Sequence, residues 1–310
     1  MILTEAIEGF VLTLRADGYS HNTVDLYIWA LDKLTEHLSN SDVEDITLND
    51  LRGFMIMQSD AGYAGSSVEN MWKAIRTFFG WCANELGIER PDGELKRPRY
   101  AHREIVPFTE DEIRKLLTGA ERTRLADTKE GKRRYTMKRP TAKRDSAIIM
   151  VLLDTGLRIG ELGRLKVEDV NLQTGEVKVH PYGTGRKTKG RTVFIGKAAT
   201  MTLWKYLQTR EDLRDDDPLF LSSSGKAVDR NNVRHVLNHI GKQAGVSHVH
   251  PHRFRHTFAI QFIRNGGDIF TLQRLLGHSS LEMVRHYLLL ADTDTEAAHR
   301  RASPADRWRL

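Results

Sequence analysis

The sequence predicts a mainly α protein with one small β hairpin, an α+β fold. Apolar side chains recur every three or four residues in four segments of the first 90 residues, as they do on helices that bury one face. The same spacing returns in many segments from residue 108 onward, several of them ended by glycine. Only residues 176–180 and 192–195 alternate between apolar and polar side chains like strands. Helices therefore dominate, with one hairpin in the second half.

The four N-terminal segments predict a small helical bundle. Gly18 closes the first helix, and Ser20 caps the second. Thr47 caps the third, and Gly87 ends the fourth. The aromatic and large apolar residues of these stripes are assigned to the core rather than to a cofactor site: Phe10, Tyr27, Leu31, Phe54, Met71, Trp72, Phe78 and Phe79.

A proline-rich polar stretch divides the chain. Residues 91–107 contain Pro91, Pro98 and Pro107 together with several basic residues, a composition typical of a linker. We therefore expect one domain at residues 1–90 and a second at residues 108–310. Thr109 and the acids that follow it predict the first helix of the second domain, because negative charge favours a helix N-terminus.

Charge is unevenly distributed between these two parts. Residues 1–90 hold 6 Lys+Arg and 14 Asp+Glu, a balance of −8, whereas the remaining 41 Lys+Arg and 27 Asp+Glu give +14. Residues 121–145, which include Arg133 and Arg134, hold 10 basic and 4 acidic side chains and read as a basic insertion. A basic domain is the expected footprint of a polyanion-binding protein.

Other features narrow the class of protein. A single cysteine, Cys82, excludes an internal disulfide framework and suits a reducing cytoplasm. We expect no signal peptide, because the start lacks a basic region and a long apolar run, and no membrane span, because no uncharged apolar stretch is long enough.

The segment from residue 248 to 287 carries the candidate chemistry. Pro251 suits the first turn of a helix, and Gly266 and Gly267 stop it. On that helix one stripe presents His252, Arg255 and His256 together. Beyond it lie His278 and, after a capping box formed by Ser279 and Glu282, Tyr287.

This set predicts a phosphate site with an oxygen nucleophile. A tyrosine hydroxyl, with a pKa near ~10, reacts poorly at pH 7 unless cations favour its phenolate. Two arginines suit the equatorial oxygens of a phosphodiester, because their planar guanidinium groups bind oxygens bidentately. The second is Arg158, delivered by a turn at Gly156, with Glu161 one helical turn later to orient it or to form a buried ion pair.

A basic group is also needed to protonate the leaving oxygen. The predicted hairpin turn between the two strands holds Arg186, Lys187 and Lys189, each of which is a candidate general acid. A plain basic turn is the alternative.

In their order and spacing these motifs resemble the phage-integrase family of tyrosine recombinases. The matching stretches are Gly156-Leu-Arg158-Ile-Gly-Glu161-Leu, His252-Arg-Phe-Arg255-His256, Leu276-Gly277-His278 and Tyr287, which follows His278 by nine positions. The resemblance covers residues 108–287 and extends more loosely to the N-terminal helices.

The resemblance implies a site-specific DNA recombinase that works through a 3′-phosphotyrosine without ATP, metal or other cofactor. It implies Tyr287 as nucleophile, Arg158, Arg255 and His278 on the phosphate, and His252 as proton acceptor or phosphate support. It favours Lys187 as general acid, with Arg186 and Lys189 still open, and Glu161 and His256 in supporting roles. Residues 1–90 are expected to be a core-binding (SAM-like) DNA-binding domain.

The expected partners are double-stranded DNA, further copies of the chain in a tetramer on paired sites, and accessory DNA-bending proteins. A C-terminal tail, residues 288–310, is expected to join neighbouring protomers or to fold onto its own domain. The expected location is the cytoplasm, at the nucleoid. Candidate DNA contacts are Lys73, Arg76, Arg133, Arg134, Arg186, Lys189 and Arg234.

Two alternatives remain at this point. The spacing of His248 and His250 before a tyrosine imitates a metal-dependent His-hydrophobic-His relaxase or nuclease, with His252 and His256 as further metal-ligand candidates. That alternative leaves Arg158 and Arg255 unexplained. A DNA-binding relative that has lost catalysis is the second.

Overall fold

The structure is a computed structural model that describes residues 1–101, 105–122, 137–181 and 190–278, together with residues 281, 284, 285, 287, 288 and 303. The chain divides into two compact units, Met1–Glu104 and Ile105–Leu310. The mainly helical fold with one small antiparallel hairpin is confirmed.

Four helices make up the first unit: α1 (Leu3–Ala16), α2 (His21–His37), α3 (Leu48–Asp60) and α4 (Gly65–Leu86). The predicted caps hold for two of them. The Ser20 side chain accepts from the Thr23 N–H at the start of α2, and Thr47 forms a capping box with Asp50 at the start of α3. Gly87 takes the left-handed conformation that ends α4.

The predicted aromatic core of this bundle is confirmed. Phe10, Phe54, Phe78 and Phe79 are almost completely buried, and Phe10 meets the edge of Phe78 at a centroid distance of 5.5 Å. Burying each such ring contributes about 2–3 kcal/mol, so these contacts dominate the packing of the unit.

Residues 90–101 lie against this bundle. Leu95 is buried in its core, and the Trp72 indole N–H donates to the Leu95 carbonyl at 2.9 Å. The Tyr100 hydroxyl donates to the buried Glu69 carboxylate at 2.5 Å. Part of the segment that the sequence marks as a linker is therefore packed onto the first unit.

The helices of the second unit are α5 (Glu110–Glu121), α6 (Ala142–Thr155), α7 (Ile159–Leu162), α8 (Lys197–Leu207), α9 (Arg230–Ala244), α10 (Pro251–Arg264) and α11 (Ile269–Leu276). Thr109 forms the capping box of α5 with Glu112. Pro251 stands in the first turn of α10, whose N-cap is His250. Residues 284, 285, 287 and 288 are also helical.

Two short strands, β1 (Glu176–Val179) and β2 (Arg191–Phe194), pair antiparallel with Val179 opposite Arg191. Residues 182–189, between the two strands in sequence, lie outside the described residues, and with them the predicted general acid Lys187 and its alternatives Arg186 and Lys189. The same holds for Arg133 and Arg134.

Two apolar clusters hold the second unit together. The larger one joins α5, α6, α8, α9 and the hairpin through residues such as Ile148, Leu203 and Phe254. A smaller cluster joins α10 and α11 to Tyr287 through Ile260, Leu272 and Leu276. The predicted nucleophile therefore belongs to a buried cluster. Among the described residues, no helix is long and apolar enough to cross a membrane.

Candidate active site

A glycine turn brings Arg158 into the site. Helix α6 ends at Gly156, which has a φ of +61°, and a Cβ there would lie 2.6 Å from the Phe258 ring. The position therefore needs glycine both for its conformation and for space. The chain then turns so that Arg158 is the N-cap of α7, with its side chain 38% exposed.

The Glu161 carboxylate binds two arginines. Arg158 donates to it through Nη1 at 3.1 Å and through its backbone N–H at 2.8 Å. Arg191, the first residue of β2, donates to both carboxylate oxygens at 2.9 and 2.8 Å. Burial alone would raise the pKa of Glu161, but the hydrogen bonds and charge of Arg191, helped by Arg158, outweigh it and lower the pKa to about 2. Glu161 is therefore ionised at neutral pH.

Arg255 is buried, and no acid in the described part of the chain forms an ion pair with it. Its Nη1 donates to the Gly156 carbonyl and its Nη2 to the Leu276 carbonyl, each at 2.8 Å. Only 4% of the residue is exposed. Burial, followed by repulsion from Arg158, lowers the pKa of the guanidinium to about 10, so it keeps its charge at pH 7. A buried cation held by neutral acceptors is a ready binding group for an anion.

His278 completes this cation cluster as a neutral ring. Its Nε2 lies 2.6 Å from Arg255 Nη2. Since a guanidinium can only donate, Nε2 is the acceptor and the ring hydrogen is on Nδ1. Burial first, then the charges of Arg255 and Arg158, lowers the pKa of His278 to about 4. Nδ1 is buried and has no hydrogen-bond partner among the described residues, so its N–H is available to a ligand.

Tyr287 lies beside this cluster and is 5% exposed. Its hydroxyl is 2.9 Å from His256 Nδ1, with the shared hydrogen on either atom, and its ring is 6.5 Å from that of His278. We expected the surrounding cations to favour the phenolate, and Arg255 and Arg158 do act in that direction. Burial is the larger effect, however, and raises the pKa of Tyr287 above its usual value of 10.0. The phenol is therefore neutral in this structure at pH 7.

His252 is at the exposed rim of the site, one helical turn before His256, with 6.4 Å between the two rings. Desolvation by its neighbours first, then the charges of Arg255 and Arg158, lowers its pKa. Arg234 on α9 adds to this positive field. The structure thus gathers Arg158, Arg255, His278 and Tyr287 with Glu161, His252 and His256 around one place.

Other predicted residues are placed elsewhere. Lys73 and Arg76 are on α4 in the first unit. Lys73 pairs with the buried Glu69 at 2.8 Å, and Arg76 lies 3.7 Å from the buried Asp92. Both side chains remain partly exposed.

Sequence reasoning missed Arg191. A signal was present, because Arg191 has the same strand parity as the buried Val193, and an arginine on the inward face of a strand requires a partner. The partner, Glu161, is 30 positions away.

The histidines do not form a metal site within the described ranges. His250 Nδ1 accepts from the Arg253 N–H as the N-cap of α10, and His256 contacts Tyr287. Over the described residues no group of three or more His, Cys, Asp or Glu side chains is arranged to hold a metal ion.

Comparison with known proteins decides the family. The sequence pattern of the phage integrase family matches residues 108–294, and that of the phage integrase N-terminal SAM-like domain matches residues 7–85. The chain belongs to the phage integrase family. This tyrosine recombinase is 30% identical over 311 residues to the tyrosine recombinase XerC of Yersinia pestis, covering 97% of this chain and 96% of the relative.

A second relative is the tyrosine recombinase XerD of Listeria innocua. It is 28% identical to this recombinase over 297 residues, covering 92% of this chain and 94% of the relative. Among solved structures, the Tn1549 transposon integrase in complex with a circular intermediate DNA superposes with a TM-score of 0.77 at 18% identity, covering 97% of this chain and 98% of that one. That likeness shows a shared fold.

Proposed function

We propose that this tyrosine recombinase cleaves and rejoins DNA at a specific site through a covalent bond to Tyr287. The observation that carries the proposal is the convergence of a buried phenol, two guanidinium groups and a neutral imidazole whose N–H has no partner among the described residues. A phosphodiester needs each of these groups: a nucleophile, two cations for its nonbridging oxygens and a further hydrogen-bond donor.

In the proposed reaction the Tyr287 oxygen attacks the scissile phosphorus. The bond from phosphorus to the 5′ oxygen breaks, which leaves a 3′-phosphotyrosine and a free 5′-hydroxyl. The 5′-hydroxyl of the partner strand then attacks the phosphotyrosine and releases Tyr287. The phosphate ester bond is exchanged and not hydrolysed, so the cycle requires neither ATP nor a metal ion.

Three groups stabilise the phosphate in this proposal. Arg158 and Arg255 bind the nonbridging oxygens, on which negative charge accumulates in the transition state. The Nδ1–H of His278 adds a neutral donor, which suits a buried ring whose pKa is about 4.

Two histidines share the remaining roles near the nucleophile. His256 lies within hydrogen-bond distance of the Tyr287 hydroxyl, so of the two histidines it is the one placed to accept the phenol proton directly. His252, at the rim, supports the phosphate or accepts that proton once DNA has moved Tyr287.

Lys187 is proposed to protonate the leaving 5′ oxygen, with Arg186 and Lys189 as the alternatives. A substrate with sulfur at the bridging 5′ position tests the assignment, because a thiolate leaves without a proton. Lys187→Ala should lose cleavage of the oxygen substrate and regain it on the sulfur substrate. Rescue of the Arg186 or Lys189 variant instead would move the role to that residue.

Double-stranded DNA is the proposed partner. The balance of +14 outside residues 1–90 supports it, as does the likeness to an integrase whose structure contains DNA. We propose that residues 1–90 form the core-binding domain, that residues 91–107 link it to the catalytic domain at 108–310, and that the basic insertion at 121–145 contributes Arg133 and Arg134 to DNA binding. Arg186, Lys189 and Arg234 complete the proposed contacts of the catalytic domain.

Lys73 and Arg76 are proposed DNA contacts of the first domain. On binding DNA, Lys73 would leave Glu69, and Arg76 would leave Asp92, to contact a DNA phosphate, or each would contact its carboxylate and the phosphate together. Replacing both with Ala should weaken binding. It should also make the slope of log affinity against log salt concentration shallower by the amount that about two phosphate contacts contribute. Unchanged affinity and salt slope would remove them from the interface.

The assembly proposed is a tetramer on two paired sites, joined by the tail at residues 288–310 and assisted by DNA-bending proteins. The proposed location is the cytoplasm, at the nucleoid. Incubating the chain with DNA that flanks its coding sequence, then sequencing recombined junctions, identifies the site.

The decisive experiment uses duplex DNA that carries this recombination site. A nick in the duplex lets the strand released by cleavage diffuse away, so that it cannot be rejoined. The parent should accumulate a covalent DNA adduct in the presence of EDTA, and Tyr287→Phe should form none. An adduct that forms only with divalent metal would favour the metal-dependent nuclease. Absence of any adduct with retained site binding would identify a relative that has lost catalysis.

A further inference from the structure

Arg191 has no part in the mechanism above, yet it makes the strongest contacts to Glu161. We propose that Arg191 is a positioning residue that neutralises Glu161, so that the charge of Arg158 stays available to the scissile phosphate. The inference rests on the proposed role of Arg158 and adds the reason why that arginine is free to act.

The contacts of Glu161 are unequal. Arg191 binds both carboxylate oxygens, at 2.9 and 2.8 Å, and its side chain is only 10% exposed. The Arg158 side chain reaches one oxygen through a single nitrogen at 3.1 Å and is 38% exposed. The buried bidentate pair is thus formed with Arg191, and Arg158 is oriented by Glu161 without being enclosed by it.

The charges give this geometry its effect. Arg158 and Arg191 contact the Glu161 carboxylate, and Arg255 is near enough to interact with its charge, so these four groups together carry a formal excess of two positive charges. If Arg191 were neutral, Glu161 would have only Arg158 as a close counter-ion and would draw its guanidinium inward. A single uncompensated arginine, Arg255, would then face a phosphate whose charge increases in the transition state.

Arg191 is itself held in place from two sides. Its Nε donates to the Leu275 carbonyl at 2.6 Å, near the end of α11, and Gly277 leaves room for its guanidinium, since a Cβ added there would lie 3.1 Å from Nη1. Its backbone is paired with Val179 across the hairpin. A lysine cannot reproduce this arrangement, because one ammonium group lacks the planar fork that serves Glu161 and Leu275 together.

The test measures single-turnover cleavage of the nicked duplex by the full chain, by two single variants and by the double variant. Arg191→Gln should slow cleavage about 100-fold, as expected when a transition-state cation is lost, and Glu161→Gln about tenfold. The double variant removes the acid together with its counter-charge, which frees Arg158 again. It should therefore cleave about tenfold faster than Arg191→Gln alone. A double variant as slow as or slower than Arg191→Gln would overturn the proposal.

Arg210→Gln is the matched control for folding. Like Arg191, Arg210 is a half-buried residue whose side chain is little exposed, at 9%, and it has one carboxylate partner, Asp217, and backbone carbonyl partners at Pro218 and Leu219. Its loss should lower thermal stability as Arg191→Gln does but leave cleavage per folded molecule within about twofold of the parent, because it is not in the reaction site. If Arg191→Gln does not fold, Arg191→Met, which also removes the charge, replaces it, alone and with Glu161→Gln, and the same ranking is expected.

A neutral methylphosphonate at the scissile position separates failure of this inference from failure of the proposed function. A linkage without negative charge needs no cation, so Arg158→Ala and Arg191→Gln should both lose much less activity on it than on the phosphodiester. If Arg158→Ala is not relieved, its proposed role is wrong. If Arg158→Ala is relieved and Arg191→Gln is not, the positioning role of Arg191 is wrong. The proposal would also be overturned if only the bridging sulfur substrate restored cleavage by Arg191→Gln. That result would mean that Arg191 acts through the general acid and not through Arg158.

Discussion

Arg253 and Arg255 lie two positions apart on α10, and both are buried, yet their surroundings differ. Arg253 donates to both oxygens of Glu112 at 2.9 and 2.8 Å, to three backbone carbonyls, and lies 4.0 Å above the Phe108 ring. Arg255 has two carbonyls and a neutral His278. The difference teaches that counter-charge, and not burial, separates an arginine that holds the fold from one prepared for a ligand.

The largest expected effect comes from Arg255→Met, which keeps side-chain bulk and removes the charge. Cleavage of the nicked duplex should fall about 1,000-fold, because a transition-state cation is lost. The free energy of unfolding should stay within about 1 kcal/mol of the parent, since the lost hydrogen bonds are offset by removal of a buried, unpaired cation. Single-turnover kinetics and urea unfolding measure the two quantities. A loss of stability as large as the one expected for Arg253→Met would mean that Arg255 also holds the fold.

Arg253→Met should give the opposite pattern. Glu112 would lose its bidentate partner and three carbonyls would lose a donor, so unfolding should become easier by about 3 kcal/mol. Cleavage per folded molecule should remain within about twofold of the parent, because the Arg253 side chain contacts none of the reaction groups that the structure describes. A loss of cleavage without a loss of stability would break the comparison.

His278 extends the comparison to pH. Its pKa of about 4 lies below the ordinary value of 6.5, because burial and neighbouring arginines disfavour its charged form. The unfolded chain therefore takes up a proton at a higher pH than the folded one. The resulting stability is present above pH 6.5 and is lost as pH falls toward 4, by on the order of 2 kcal/mol. His278→Gln should remove this part of the pH dependence in urea unfolding, with pH 8 as the reference. An unchanged slope between pH 6.5 and 4 would show that His278 is charged in the fold.

Local chemistry allowed much of this to be predicted from sequence. The helix start at Thr109, Pro251 at the start of α10 and the turn at Gly156 each depend on a few neighbouring residues, and the structure has all three. The strand bounds differ by one residue from those expected, with Arg191 as the first residue of β2.

Most of the missed features depend on contacts between distant segments. Glu161 was expected to orient Arg158, but its stronger partner, Arg191, comes from another element that packs beside it only in the folded chain. The pKa of Tyr287 likewise follows from burial, which motif spacing does not encode. The ion pairs of Lys73 and Arg76 with Glu69 and Asp92 were also missed, the first although the two residues are one helical turn apart.

The smallest expected effect concerns two glycines that end helices in the same way. Gly156 and Gly87 have φ of +61° and +69°, but a Cβ at Gly156 would lie 2.6 Å from Phe258, whereas at Gly87 it would meet nothing within 4 Å. Gly87→Ala should cost about 1 kcal/mol of stability, the price of a left-handed alanine. Gly156→Ala should cost roughly 1 kcal/mol more, since Phe258 must move. It should also slow cleavage, because the displaced turn carries Arg158 and the carbonyl that binds Arg255. Equal costs and unchanged cleavage would mean that the turn tolerates a side chain and that Arg158 is aligned by Glu161 alone.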